Sequence, residues 1–338
     1  LNEAAAILQD AIDNDLQQPL DIGRGYSNLG LILMELSNTT GDPAAAERAV
    51  AALKQGLTYQ KRDSAPQDWA TIHLNLGLSL TMLGNYTGDK ATIEEAVAAF
   101  DNALLEFDPQ RQSVRWAITV RDRAVALNTL GVLESNAARF EEAIASFRLV
   151  KDELTLESDP YEWARLQAGL LYALTMLADI KKDVGMLYEA LEVARLADSK
   201  TPRADSPIEW ATNQQNLGGI EGRIYLAEGG IEWLKESADY WRDSLEVVTV
   251  ELNPAWWLNS TFELGGTLAR LGHDLGDASS VPEADALLTA ALEMANQLGN
   301  QPVIEQTTAL LRYLADTRSA IGAPQEQSEP AVVRARAG

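Results

Sequence analysis

Five tryptophans, Trp69, Trp116, Trp163, Trp210 and Trp257, stand 47 residues apart, four intervals running. A fixed spacing in this range excludes most globular folds and requires a tandem array of one structural unit. Other columns keep the same step. Three residues before each Trp come Pro66, Ser113, Pro160, Pro207 and Pro254, with Pro19 extending the column backwards. Seven after it come Leu76, Leu170, Leu217 and Leu264, with Leu29 before them and Arg123 as the exception. The triplet Asn-Leu-Gly is complete at Asn28, Asn75 and Asn216.

Within a unit the apolar positions have helical spacing. Trp69, Ile72, Leu76, Leu80 and Leu83 fall on one face of a first helix, A. Proline at its start suits the first helical position, which needs no amide hydrogen. Ser206 to Glu209 and Asp159 to Glu162 have the spacing of capping boxes, and Thr92 to Glu95 predicts another at the start of a second helix, B. Gly84, Gly131 and Gly272 are expected to close helix A. Ala96, Phe100 and Ala103 give helix B its inner face, echoed by Ala143, Phe147 and Val150. The units predicted are 19–65, 66–112, 113–159, 160–206, 207–253 and 254–300. A terminal helix follows near 303–320, and a tail from 321 to 338 is expected to be disordered. The opening residues 2–12 match a helix B lacking its A, so the chain reads as beginning mid-repeat.

The pattern around Leu76-Gly77, Leu80, Ala96, Phe100 and Ala103 resembles the tetratricopeptide repeat. That family has a shorter period, of 34 residues. This chain is similar to the long-repeat variant of bacterial multidomain signalling and defence proteins. The resemblance implies an all-α, right-handed superhelical solenoid of antiparallel helix pairs, about six full repeats with a partial helix at each end. Its inner helices would line a concave groove that takes a peptide, and the residue before Leu-Gly would face that groove. Here that column is Asn28, Asn75, Asp122, Gly169, Asn216 and Glu263. An amide both donates and accepts, so it pairs with an extended backbone irrespective of sequence. Arg24, Tyr26, Arg121, Arg165, Tyr172, Arg223 and Arg270 fall on the same inferred face, where the arginines would select a carboxylate.

Other residues have plainer readings. The Trp column is expected to be core, and Trp241, in the Phe100 column, likewise. Trp256 precedes Trp257 and so should point elsewhere, toward a partner. Glu221 stands in a column otherwise holding Leu33, Leu80, Leu127, Leu174 and Leu268; a local rotation is expected to pack Ile220 and bring Glu221 to Arg223 or solvent. His73 and His273 are expected on the helix surface. Gly218, Gly219 and Gly222 follow no strand and precede no Gly-Lys-Ser, so they make no phosphate loop. Asn38, Asn85 and Asn259 begin glycosylation sequons, taken as coincidental because no signal peptide precedes them.

Composition narrows function. Net charge is −23 with a pI near 4.4. Such a field repels nucleic acid and acidic membranes and favours a basic partner. The 338 residues include no cysteine and two histidines, so thiolate and His-based chemistry is unsupported and no metal or cofactor is expected. No run is long enough for membrane insertion. The expectation is a non-catalytic, cytoplasmic scaffold or sensor that binds a protein or peptide partner, basic or with a free carboxylate. The alternatives are a closed (α/α)6 glycosidase-type toroid and a self-assembling repeat protein that forms homo-oligomers.

Overall fold

The computed structural model describes residues 1–14 and 16–321. Among these, fourteen helices and no strand occur. The A helices are α2 (Pro19–Thr40), α4 (Pro66–Thr87), α6 (Ser113–Glu134), α8 (Pro160–Lys181), α10 (Pro207–Glu228) and α12 (Pro254–Leu275), each of 22 residues. The B helices are α3 (Pro43–Tyr59), α5 (Lys90–Leu104), α7 (Ala137–Val150), α9 (Val184–Ser199), α11 (Ile231–Leu245) and α13 (Ser280–Leu298). Helix α1 (Asn2–Asn14) precedes them and α14 (Gln301–Ile321) follows. The chain is an all-α helical repeat. It divides into two compact units, Leu1–Lys181 with α1 to α8, and Lys182 onward with α9 to α14. The tail expected to be disordered lies, beyond α14, outside the described residues.

Within each unit every B helix packs on the A helices before and after it that the unit contains. The A helices also touch one another, α2 to α4 to α6 to α8 in the first unit and α10 to α12 in the second, where α14 packs on α12 in the place of a further A helix. The contact that sets helix spacing is legible at Gly77: a Cβ there would lie 2.7 Å from the Phe100 ring. The missing side chain lets α5 seat a fully buried phenylalanine directly on the α4 backbone.

Helix ends differ from expectation. Gly84, Gly131 and Gly272 lie inside their helices, where they admit Ile93, Phe140 and Val281. The stops come four residues later, at left-handed Gly88 (φ 66°), Ser135 (φ 50°) and Gly276 (φ 63°). In four repeats an Asx residue then opens helix B at once: Asp42, Asp89, Asn136 and Asp183 accept from the amides of Ala44, Thr92, Ala138 and Gly185. Thr92 is therefore capped and does not itself cap. Asp159 does cap α8, through the amides of Tyr161 and Glu162, but Ser206 makes no side-chain cap bond.

The tryptophan column is not fully buried. Only Trp257 is buried (7% exposed), while Trp69, Trp116, Trp163 and Trp210 are half-buried. The reason is their place at the rim. Trp69 and Trp116 pack on Phe107, a buried residue just past the end of α5. Arg62 lies over the Trp69 ring at 5.6 Å, and Arg203 over Trp210 at 4.7 Å. Trp241 is core, as its column requires. Trp256 is half-buried, and its Nε1 is engaged within the repeat array, donating to Gln215 of α10. Asp285, at the repeat position that holds Val50, Val97 and Ile144, forms an ion pair with Arg318 of α14 at 2.9 Å.

Candidate functional site

In the first unit the core residues of α4 are Ile72, Leu76 and Leu80. The opposite side of the helix carries Leu78, Thr81, Met82 and Asn85, which have the i, i+3, i+4, i+7 spacing of a single face. These residues border a cleft of about 470 Å³. Met34, Glu35 and Asn38 of α2 form one wall, and Asp122 and Val125 of α6 with Tyr161 and Arg165 of α8 form the other. A second cleft, of about 490 Å³, shares Asn85, Val125 and Arg165 with the first. Asn128, Thr129, Val132 and Leu133 of α6 and Ala168, Gly169 and Tyr172 of α8 complete it. The shared residues make the clefts one groove crossing four A helices.

The groove is mainly apolar, with amides at intervals. Asn38 and Asn85 are exposed and stand one repeat apart. Thr129 donates to the Asn85 Oδ1 at 3.1 Å, and the Asn85 side chain remains exposed. Asn128 is buried and donates to the Gly169 carbonyl at 3.0 Å, tying α6 to α8. Tyr172, 45% exposed, stands at the far end.

Of the residues expected to face a groove, Arg165 and Tyr172 line it, as do Asp122 and Gly169 of the Asn column. Asn75 does not, because it is buried (7% exposed) beside Leu76. Asn28 is exposed but outside both clefts. Tyr26 turns away to stack on Tyr59 of α3, with ring centres 6.0 Å apart. Arg24 is exposed and held by Asp68 at 3.0 Å. Arg121 is the clearest correction: it has no exposed surface at all. Its guanidinium binds Asp122 at 2.7 Å and pairs with Glu162 of α8. Arg165 reaches the same Asp122 oxygen at 3.1 Å. Two arginines and two carboxylates thus form a latch between α6 and α8 beneath the groove. The arginines are consumed locally, and a ligand carboxylate finds no idle cation there.

In the second unit Asn216 is half-buried. Arg223 and Arg270 fold back on the Gly219 and Gly266 carbonyls of their own helices, at 3.0 and 3.4 Å, with Glu263 within the electrostatic reach of both. The Tyr225 hydroxyl donates to Asp274, a bond that pushes Tyr225 up to about 12. His273 Nδ1 meets the other oxygen of Asp274 at 2.7 Å, and His273 is exposed as expected. His73 is not an ordinary surface residue. It packs edge-on to Trp69, ring centres 4.3 Å apart, and burial lowers it to about 4.

Glu221 departs furthest from expectation. Ile220 is packed, but no rotation carries Glu221 outward; it stands in the leucine column with no exposed surface and faces Arg195 of α9 at 3.4 Å.

No protein-family model matches the chain, and no curated protein does. Among solved structures the chain is similar to a circular tandem repeat protein with novel repeat topology and enhanced subunit contact surfaces. The two are 17% identical, over 94% of this chain and 83% of that one, with a TM-score of 0.31. A correspondence that loose carries none of that protein's properties across. Among the described residues no helix is long and apolar enough to cross a membrane.

Proposed function

We propose that the chain is a non-catalytic interaction module of the tetratricopeptide kind, and that the groove across α2, α4, α6 and α8 takes an extended segment of a partner protein. The observation that carries this reading is the composition of that groove: exposed amides at Asn38 and Asn85, one repeat apart, set among Met34, Met82, Val132 and Tyr172. Amides at intervals suit the backbone of an extended chain, and the apolar stretches between them suit its side chains. The partner is basic or uncharged. The protein carries −23, Glu35 lies in the groove wall, and Arg165 is already bound to Asp122, so an acidic peptide meets repulsion without compensation.

The test is selection of a random peptide library on the intact protein. Selected peptides are then measured by fluorescence polarisation against Asn38→Ala, Asn85→Ala and Tyr172→Ala, all exposed positions whose loss leaves the core intact. The reading predicts enrichment of basic or apolar peptides and a loss of about tenfold or more in affinity for the triple variant. Peptides that bind the triple variant as tightly as the parent would reject the groove.

A further inference from the structure

The leucine column of the A helices runs through Leu33, Leu80, Leu127 and Leu174 and resumes at Leu268, all buried. Between them, at the equivalent place on α10, is Glu221, equally buried. An ionised carboxylate in a core position is tolerated only when its charge is matched or removed. The match here is incomplete. Arg195 of α9 reaches Oε1 at 3.4 Å, a long contact, and its half-exposed guanidinium is shared with Glu192 at 3.8 Å. Oε2 is buried and meets no donor. The neighbour of this carboxyl group from α11 is Glu236, a second and more exposed carboxyl group. Two carboxylate oxygens cannot bond without a proton; with one proton between them they form a strong hydrogen bond.

The other groups at this junction do not supply the missing donor. Asp198 of α9 accepts from Gln214 at 2.6 Å, and Tyr240 of α11 lies close enough to feel Glu221, Glu236 and Asp198 together. Helix α12, against the other side of α10, presents Glu263 and Asp274, which engage Arg223 and Tyr225 instead.

We infer that Glu221 keeps its own proton in the folded second unit, where it can be donated toward the Glu236 carboxylate of α11, and that losing it loosens α11 from α10, which makes this hairpin a proton-sensitive element. Burial first, then the Glu236 charge, pushes Glu221 up to about 7, against the pull of Arg195. The unfolded chain keeps the ordinary value of 4.5. The folded state therefore binds the proton more tightly. Its stabilising effect is complete below about 4.5, fades as pH rises, and is gone above about 7. The inference is independent of the groove, which lies in the first unit.

The experiment is a pH series on the full chain with two readouts. Carbon-13 NMR of labelled glutamate carboxyls reports the titration directly, and hydrogen exchange, corrected for intrinsic rates, reports the protection of α11. The expected result is one glutamate carboxyl titrating above about pH 6, with α11 protection falling by up to about tenfold per pH unit between pH 5 and 7. Glu221→Gln should abolish that fall. Glu221→Leu, which restores the column residue, should do the same and serves if the glutamine variant folds poorly. Glu236→Gln supplies a permanent donor and should move the step to lower pH. The inference is overturned if every carboxyl titrates below about pH 5.5, or if α11 in the Glu221 variants follows the parent's pH course.

Discussion

Arg121 and Gly77 lie one helix apart in the first unit, and they differ in how much of their role the sequence discloses. Gly77 follows Leu76 in a repeating column, so a close helix approach is the natural reading, and the structure supplies its partner in Phe100. Gly77→Ala should cost about 1–3 kcal/mol in urea unfolding, because the ring has nowhere to retreat. Adding Phe100→Leu should return part of that loss, since the two changes share one contact. Arg121 was not legible. An arginine on a helix face reads alike whether it points to solvent or to a neighbour, and its second acid, Glu162, comes from the adjacent repeat. Arg121→Ala leaves Asp122 buried against Arg165 alone. It should destabilise the first unit by about 3–5 kcal/mol, measured by chemical denaturation, far more than the exposed Arg24→Ala. Glu221 was misread for a related reason: helical rotation is the usual remedy for a polar residue in an apolar column, and the proton that makes it unnecessary here leaves no mark in the sequence.

At the scale of the helix, starts were easier to place than stops. Five of the six A helices begin at a proline, whose ring fixes the first backbone angle and whose missing amide hydrogen is not needed there. The stops were misplaced because two glycines, Gly84 and Gly88, compete as terminators in the same repeat. The nearer one is used for packing against Ile93, and the farther one takes the left-handed turn. The Asp89 that follows outcompetes Thr92 as a cap because its carboxylate is already placed against the Thr92 amide, 2.9 Å away. Both residues of this two-residue corner should matter. Gly88→Ala forces a Cβ into a left-handed backbone and should cost about 1 kcal/mol. Asp89→Ala removes the cap and should cost about as much, read by thermal melting monitored at the helical circular dichroism band.

Across the whole molecule, the period was legible and the register of the open face was not. Leucine and glycine columns fix which side of each A helix is inward, and that is enough to derive an all-α repeat. The asparagine before Leu-Gly is a single helical step from the core side, so Asn75 is drawn into it, whereas Asn85, nine residues past Leu76, emerges on the far face. The signal for the groove is in the sequence, since Asn38 and Asn85 keep the 47-residue step, but each also begins a sequon, and the triplet alone does not tell a groove amide from a chance match. Because the chain contains no cysteine, its faces can be probed one position at a time with a thiol reagent. The most direct test is the labelling rate of Asn38→Cys, Asn85→Cys, Tyr172→Cys and, on the core side, Leu80→Cys, with and without a library-selected peptide. The account predicts fast labelling at the first three, slowed by about tenfold when peptide is bound, and slow labelling at the fourth throughout. Equal rates on the two faces, or groove positions that label as fast with the peptide as without it, would contradict it.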